Sequence, residues 1–73
     1  MAAADAMVAI TLNGAPHSIP EGCTVAELLD ALGLRRDGVA VAVDMQVVPR
    51  SAHAGRTIRA GERVEVVQAV GGG

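Results

Sequence analysis

Residues 8–33 read VAITLNGAPHSIPEGCTVAELLDALG, and a change of period within them decides the fold class. Val8, Ile10 and Leu12 alternate with Ala9 and Thr11, the pattern of a half-buried strand. Asn13-Gly14 follows, a dipeptide suited to a two-residue hairpin turn because both positions tolerate positive φ. Ala15 to Ile19 then returns as a second strand until Pro20 stops it. Beyond that the period becomes helical. Thr24-Val25-Ala26-Glu27 is a capping box: the Thr24 hydroxyl accepts from the Glu27 amide, and the Glu27 carboxylate accepts from the Thr24 amide. Val25, Leu28, Leu29 and Leu32 share one helix face, Glu27 and Asp30 lie off it, and Gly33 stands where a left-handed residue ends the helix. About two to three turns of helix do not persist alone in water, so this one is expected to lie on a sheet.

Toward the C-terminus the strand period returns. Val39, Val41 and Val43 alternate with Ala40 and Ala42, Asp44-Met45-Gln46 reads as a turn, and Val47-Val48 reads as a short strand ended by Pro49. Arg50 to Thr57 has no period and reads as a loop. Ala60-Gly61 makes another turn, and Glu62 to Val70 reads as the longest strand, with Val64 and Val66 facing one way and Arg63, Glu65 and Val67 the other. The order is β-β-α-β-β-β, or the same with one short strand lost, and a right-handed crossover lets the final strand pair parallel with the first. This predicts an α+β chain of ubiquitin-like β-grasp architecture, with a mixed sheet of four or five strands, one helix on one face and a flexible Gly-Gly tail. Residues 1–6 are expected to form a flexible arm, 7–70 the domain and 71–73 the glycine tail.

Composition narrows the function classes. A chain of 73 residues has room for one small domain, and without any Phe, Trp or Tyr its core must be aliphatic. No ring is available to stack a base or a flat cofactor, and a net charge of −2 offers no basic surface to a phosphate backbone, so nucleic-acid binding is disfavoured. No apolar run is long enough to span a membrane and no signal-peptide pattern opens the chain, so a cytoplasmic location is expected. The single cysteine, Cys23, has no disulfide partner, and neither His17 nor His53 stands at ligand spacing from it; no metal site is expected. Cys23 precedes the helix cap, where a lowered pKa could make it a nucleophile. A structural role, packing on Leu28 as a hydrophobic staple, fits the position better. His17 and His53 sit in a strand and a loop with no motif around them and read as surface or turn residues. All six basic residues are arginine, so no side chain here can accept an isopeptide bond.

The chain runs from Val70 into Gly71, Gly72 and Gly73. Glycines lose the most backbone entropy on ordering and add nothing to packing, so they finish a domain poorly. They can, however, thread a channel too narrow for other residues and present the Gly73 α-carboxylate to chemistry on a partner. A frayed or appended terminus is the other reading of the tail taken by itself.

With these features together the chain resembles the ThiS family, the small sulfur carriers of thiamine biosynthesis. The matching features are Asn13-Gly14, Val25-Ala26-Glu27-Leu28-Leu29, Val39-Ala40-Val41-Ala42-Val43, Val47-Val48-Pro49-Arg50, and Gly61-Glu62-Arg63-Val64-Glu65-Val66-Val67 leading to the glycines. The resemblance implies a carrier that holds no cofactor and is not itself an enzyme. A ThiF-type adenylating enzyme would use ATP and Mg²⁺ to convert the Gly73 carboxylate to an acyl-adenylate, and a persulfide donor would then supply the sulfur of a thiocarboxylate. A ThiG-type thiazole synthase would receive that sulfur. Other classes compatible with the residues are a carrier subunit of molybdopterin-synthase type, a ubiquitin-like modifier, and a plain β-grasp binding module.

A docking surface is expected as well. If Val39, Val41, Val64 and Val66 face the helix, then Ala40, Ala42, Val67 and Ala69 lie together on the open sheet face beside the tail. Arg50, with Arg56 and Arg63, is a candidate for pairing with acidic patches on partners, or else part of a solvated rim.

Overall fold

The computed structural model describes residues 6–35 and 37–68. Asn13 and Gly14, at φ 49° and 84°, fold β1 (Met7–Leu12) back on β2 (Ala15–Pro20), with Leu12 opposite Ala15 and Met7 opposite Pro20. Pro20 is thus the last paired residue and not the one beyond it. The capping box forms as expected: Glu27 N donates to Thr24 Oγ1 at 3.1 Å, and Thr24 N donates to Glu27 Oε1 at 2.9 Å. Helix α1 (Val25–Ala31) ends after seven residues in a Schellman motif: Gly33, at φ 75°, donates to Asp30 O at 3.0 Å and Leu34 N donates to Leu29 O at 2.9 Å. Leu34 packs on the core behind it. Because the helix stops at Ala31, Leu32 becomes its C-cap and is 37% exposed; Ala26, unassigned by the helical period, is buried with Val25, Leu28 and Leu29.

The second hairpin joins β3 (Val39–Val43) to β4 (Gln46–Val48) through Asp44 and Met45, both at positive φ. Gln46 already pairs with Val43, so the turn has two residues where three were expected. Strand β5 (Arg63–Gln68) runs up the middle of the sheet, whose order is β2-β1-β5-β3-β4. It lies parallel to β1, with Thr11 opposite Arg63 and Leu12 opposite Val64, and antiparallel to β3, from Val43 opposite Val64 to Val39 opposite Gln68. This is the mixed sheet and single helix expected of a β-grasp. At six residues β5 equals β1 and β2 in length, and the expectation that it reaches Val70 falls on residues outside those described.

One face of the sheet buries Ile10, Ile19, Val41, Val43, Val64 and Val66 against Leu28 and Leu29 of α1. The segment read as a plain loop has a definite task here. After a 3₁₀ turn (Arg50–Ala52), it lies along the start of α1, where helical N–H groups have no partner within the helix. Val25 N donates to Arg56 O at 2.9 Å and Ala26 N to His53 O at 3.0 Å, while Thr57 bridges Thr24 and Ile58 N donates to Cys23 O at 2.9 Å. His53 is not a surface residue: it is 1% exposed, and because a carbonyl can only accept, its Nε2 carries the proton and donates to Val48 O at 3.1 Å. Its Nδ1 is buried without a hydrogen-bond partner among the described residues. Cys23 is buried in the same core, as the staple reading requires. Burial first, and the Glu27 charge second, push its thiol above the ordinary value, the opposite of what a nucleophile needs.

Candidate functional site

The described part of β5 ends at Gln68, the residue that precedes the last five of the sequence. On one side β3 begins opposite Gln68 at Val39, and on the other β1 has turned away at Asn13. Strand β4 runs in the same direction as β5, so its continuation, Arg50, lies at this same end of the sheet, two strands away, and is exposed. A shallow groove of about 690 Å³ flanks the exit, lined by Leu34 and Arg35 from the end of the helix and by Val39, Val66, Val67 and Gln68 from the two strands. Arg35 and Asp37 approach to 3.9 Å at its rim, but both side chains are well exposed and such a pair contributes little.

The open face of the sheet bears out the expected alternation. Ala40 stands directly opposite Val67, and Ala42 directly opposite Val47, so four small apolar residues form one patch. Val67 is 63% exposed and Val47 is 77% exposed, although β-branched side chains of this size usually turn inward. Val47 was not among the expected docking residues: two consecutive valines do not say which faces out, and only the pairing of Val48 with buried Val41 settles it. Ala69 and the tail residues Gly71, Gly72 and Gly73 lie outside the described residues.

The arginines divide. Arg63 and Arg50 are exposed, but Arg56 is engaged within the chain, its Nη2 donating to Glu62 Oε2 at 2.9 Å. Glu62 also accepts from Arg59 N at 2.7 Å through its other oxygen. Desolvation by itself would raise the Glu62 carboxyl, but the bonds from Arg56 and Arg59 and the Arg56 charge outweigh it and hold the group below its usual range. Arg56 is therefore a brace for the turn into β5 and not a candidate for acidic partners.

Among the described residues no three His, Cys, Asp or Glu side chains gather as metal ligands, and no helix is long and apolar enough to cross a membrane. Cys23 Sγ hydrogen-bonds to Thr24 O and His53 Nε2 to Val48 O, not to each other. What the arrangement offers is a central strand, β5, whose described residues end at Gln68 beside an apolar patch.

Comparison with known proteins agrees with this geometry. The model of the ThiS family matches residues 10–73, a span that includes the glycines. The sulfur carrier protein ThiS of Escherichia coli is 34% identical over 64 residues, covering 88% of this chain and 97% of that protein. Thiazole synthases of Magnetococcus marinus and Paramagnetospirillum magneticum are 38% and 33% identical over the same share of this chain, which spans only 20% of their length. The crystal structure of a thiamine biosynthesis protein (ThiS) from Geobacter metallireducens superposes with a TM-score of 0.76 at 33% identity, covering 90% of this chain and all of that one. A family match over nearly the whole sequence, a relative matched over almost its full length and a shared fold place this chain in the ThiS family.

Proposed function

We propose that this chain is a sulfur carrier for thiazole formation in thiamine biosynthesis, with the α-carboxylate of Gly73 as its reacting group. The observation that carries the reading is the central position of β5: the strand that leads to the glycines is held on both sides up to Val66 and on the β3 side up to Gln68, beside an exposed apolar patch. A carboxylate is a poor electrophile. A ThiF-type partner would join it to AMP at the expense of ATP, with Mg²⁺ and pyrophosphate release, and so give it a leaving group. A persulfide sulfur then displaces AMP, and a thiol reductant cleaves the resulting acyl disulfide to leave a thiocarboxylate. That thiocarboxylate gives its sulfur to a ThiG-type thiazole synthase.

The chain itself acts as a protein co-substrate in the cytoplasm and binds no cofactor. It contributes a reachable terminus, two glycines, Gly71 and Gly72, thin enough to thread a partner's channel, and a docking surface. Ala40, Ala42, Val67 and Val47 supply the apolar part of that surface, and Arg50 supplies a cation at its edge. Rate enhancement then comes from positioning on the partners.

Intact-mass measurement tests this. A Cys23→Ala variant is incubated with a ThiF-type enzyme, Mg-ATP and a persulfide source, then treated with a thiol alkylator. Removing the cysteine leaves the tail as the only alkylatable sulfur, and methionine oxidation, which adds almost the same mass as exchanging oxygen for sulfur, is not alkylated. One ATP-dependent alkylation mapped to Gly73 is expected. Absence of that product with active enzyme overturns the reading, and a product formed only with enzymes of the molybdopterin pathway reassigns the carrier.

A further inference from the structure

Asn13 does more than its turn requires. In a parallel pair, each rung joins a backbone N–H or C=O of one strand to the next strand. Here Thr11 N donates to Glu62 O at 3.0 Å and Asn13 N to Val64 O at 2.9 Å, but the following rung has no backbone to use because the chain reverses at Gly14. The Asn13 side chain takes its place. Val66 N donates to Asn13 Oδ1 at 2.8 Å, and Asn13 Nδ2 donates to Val66 O at 3.2 Å. One carboxamide, chemically a peptide group, thus satisfies both backbone groups of Val66 across 53 positions of sequence.

By the alternation of the strand, Gln68 turns its N–H and C=O to this same side, beyond the reach of β1. Val66 is therefore where β5 last has a partner on the β1 edge among the described residues. We infer that Asn13 is a positioning residue of the carrier: its carboxamide is the terminal rung of the β1–β5 ladder and, with the β3 pairing on the other edge, fixes the direction in which the chain leaves the sheet toward its tail. The inference rests on the carrier reading for its functional consequence. The turn alone cannot account for the residue. Asp-Gly and Gly-Gly make the same turn as Asn-Gly, but a carboxylate accepts from Val66 N and repels Val66 O, and glycine reaches neither.

That equivalence supplies the test, since Asn13→Asp and Asn13→Gly keep the hairpin and remove half or all of the rung. In the wild type the Val66 amide is expected to exchange slowly with solvent. In Asn13→Gly it should exchange about tenfold faster, as loss of a hydrogen-bonded rung predicts. Residual dipolar couplings of the Val66 and Gln68 amides, which face the β1 edge, should shrink in Asn13→Gly and less so in Asn13→Asp, while that of Val67, paired with Ala40 of β3, should hold. With a ThiF-type enzyme and well below the melting temperature, KM for the carrier should rise about tenfold while kcat holds, because the carboxylate is untouched and only its presentation has changed. Unchanged exchange and couplings in Asn13→Gly overturn the inference. Faster exchange with wild-type KM also overturns it, leaving Asn13 a purely structural residue. If the wild type forms no adenylate at all, the carrier reading fails on its own, and exchange and couplings still decide the role of Asn13.

Discussion

The start of α1 and the end of β5 are built on opposite principles. At the start of α1, the capping box and the 50–58 segment take up the N–H groups of Val25, Ala26 and Glu27, and Cys23 and His53 are buried around them. At the end of β5, one side chain supplies the final rung on the β1 edge, and apolar residues stand in solvent. A domain this small can bury only about 60% of its unfolded surface, so it cannot afford closure everywhere. The difference teaches that stability is gathered where no partner has to reach, and the end of the sheet that leads to the tail is left open.

The core beneath α1 sets the upper limit of this contrast. Leu29 is fully buried between the helix and the sheet, so Leu29→Ala should cost about 2–5 kcal/mol, a large part of the roughly 5–15 kcal/mol typical of whole proteins. Urea unfolding followed by circular dichroism measures it. A loss below about 1 kcal/mol would mean that the helix is held by its caps and clamp more than by its buried face.

His53 sharpens the comparison from the polar side. Its removal in His53→Ala leaves a cavity and an unbonded Val48 carbonyl, for an expected loss of about 2–3 kcal/mol. His53→Leu refills the space and also removes the buried Nδ1 that has no partner, so it should cost less than the alanine variant. Both variants lose the bond to Val48, so if leucine is the worse of the two, the pocket is shaped to the flat ring and the branched side chain overpacks it.

Much of this contrast could be read in the sequence, and the remainder fails for identifiable reasons. Local patterns carried the first hairpin, the capping box and the Gly33 stop, because each depends on residues within a few positions of one another. The parallel pairing of β1 with β5 followed from connection handedness, a rule of topology and not of any residue. The 50–58 clamp stayed hidden because its bonds come from backbone atoms of Arg56 and His53, and main-chain groups leave no mark on composition. His53 was misplaced for a related reason: a lone histidine in an aperiodic stretch gives no sign that Val48 waits to accept from it. The second use of Asn13 was masked by its first. On the candidate site, Ala40, Ala42 and Val67 were legible from alternation, whereas Val47 needed the register of β4.

The brace that leads into β5 gives a smaller effect with a defined pH dependence. The Glu62 carboxyl is held below its unfolded value, so its contribution is fully present above the ordinary carboxylate range, near 4.3, and is lost as pH falls through the folded value. Arg56 is about one-third exposed, and solvent screening keeps the pair at about 1 kcal/mol or less. Glu62→Gln should therefore be slightly less stable than wild type at pH 7, and the two unfolding curves should converge in acid. A gap that persists at pH 2 would assign the effect to lost shape in the turn and not to charge.

The smallest effect on stability separates the two regions most cleanly. Val67 projects from β5 into solvent, and Val67→Thr keeps both the β-branched shape and the strand preference, so the change in folding free energy should stay within about 0.5 kcal/mol. If the open face docks on a partner, the new hydroxyl must be desolvated there, and binding to an adenylating or thiazole-forming partner should weaken by about tenfold. The same exchange at Val64, which is fully buried three residues earlier on the opposite face, should reverse the pattern, with folding damaged and any protein that still folds bound normally. Calorimetry on both variants reads the two quantities side by side. Equal binding by Val67→Thr and wild type would remove this face from the docking surface and leave recognition to the tail and its exit from the sheet.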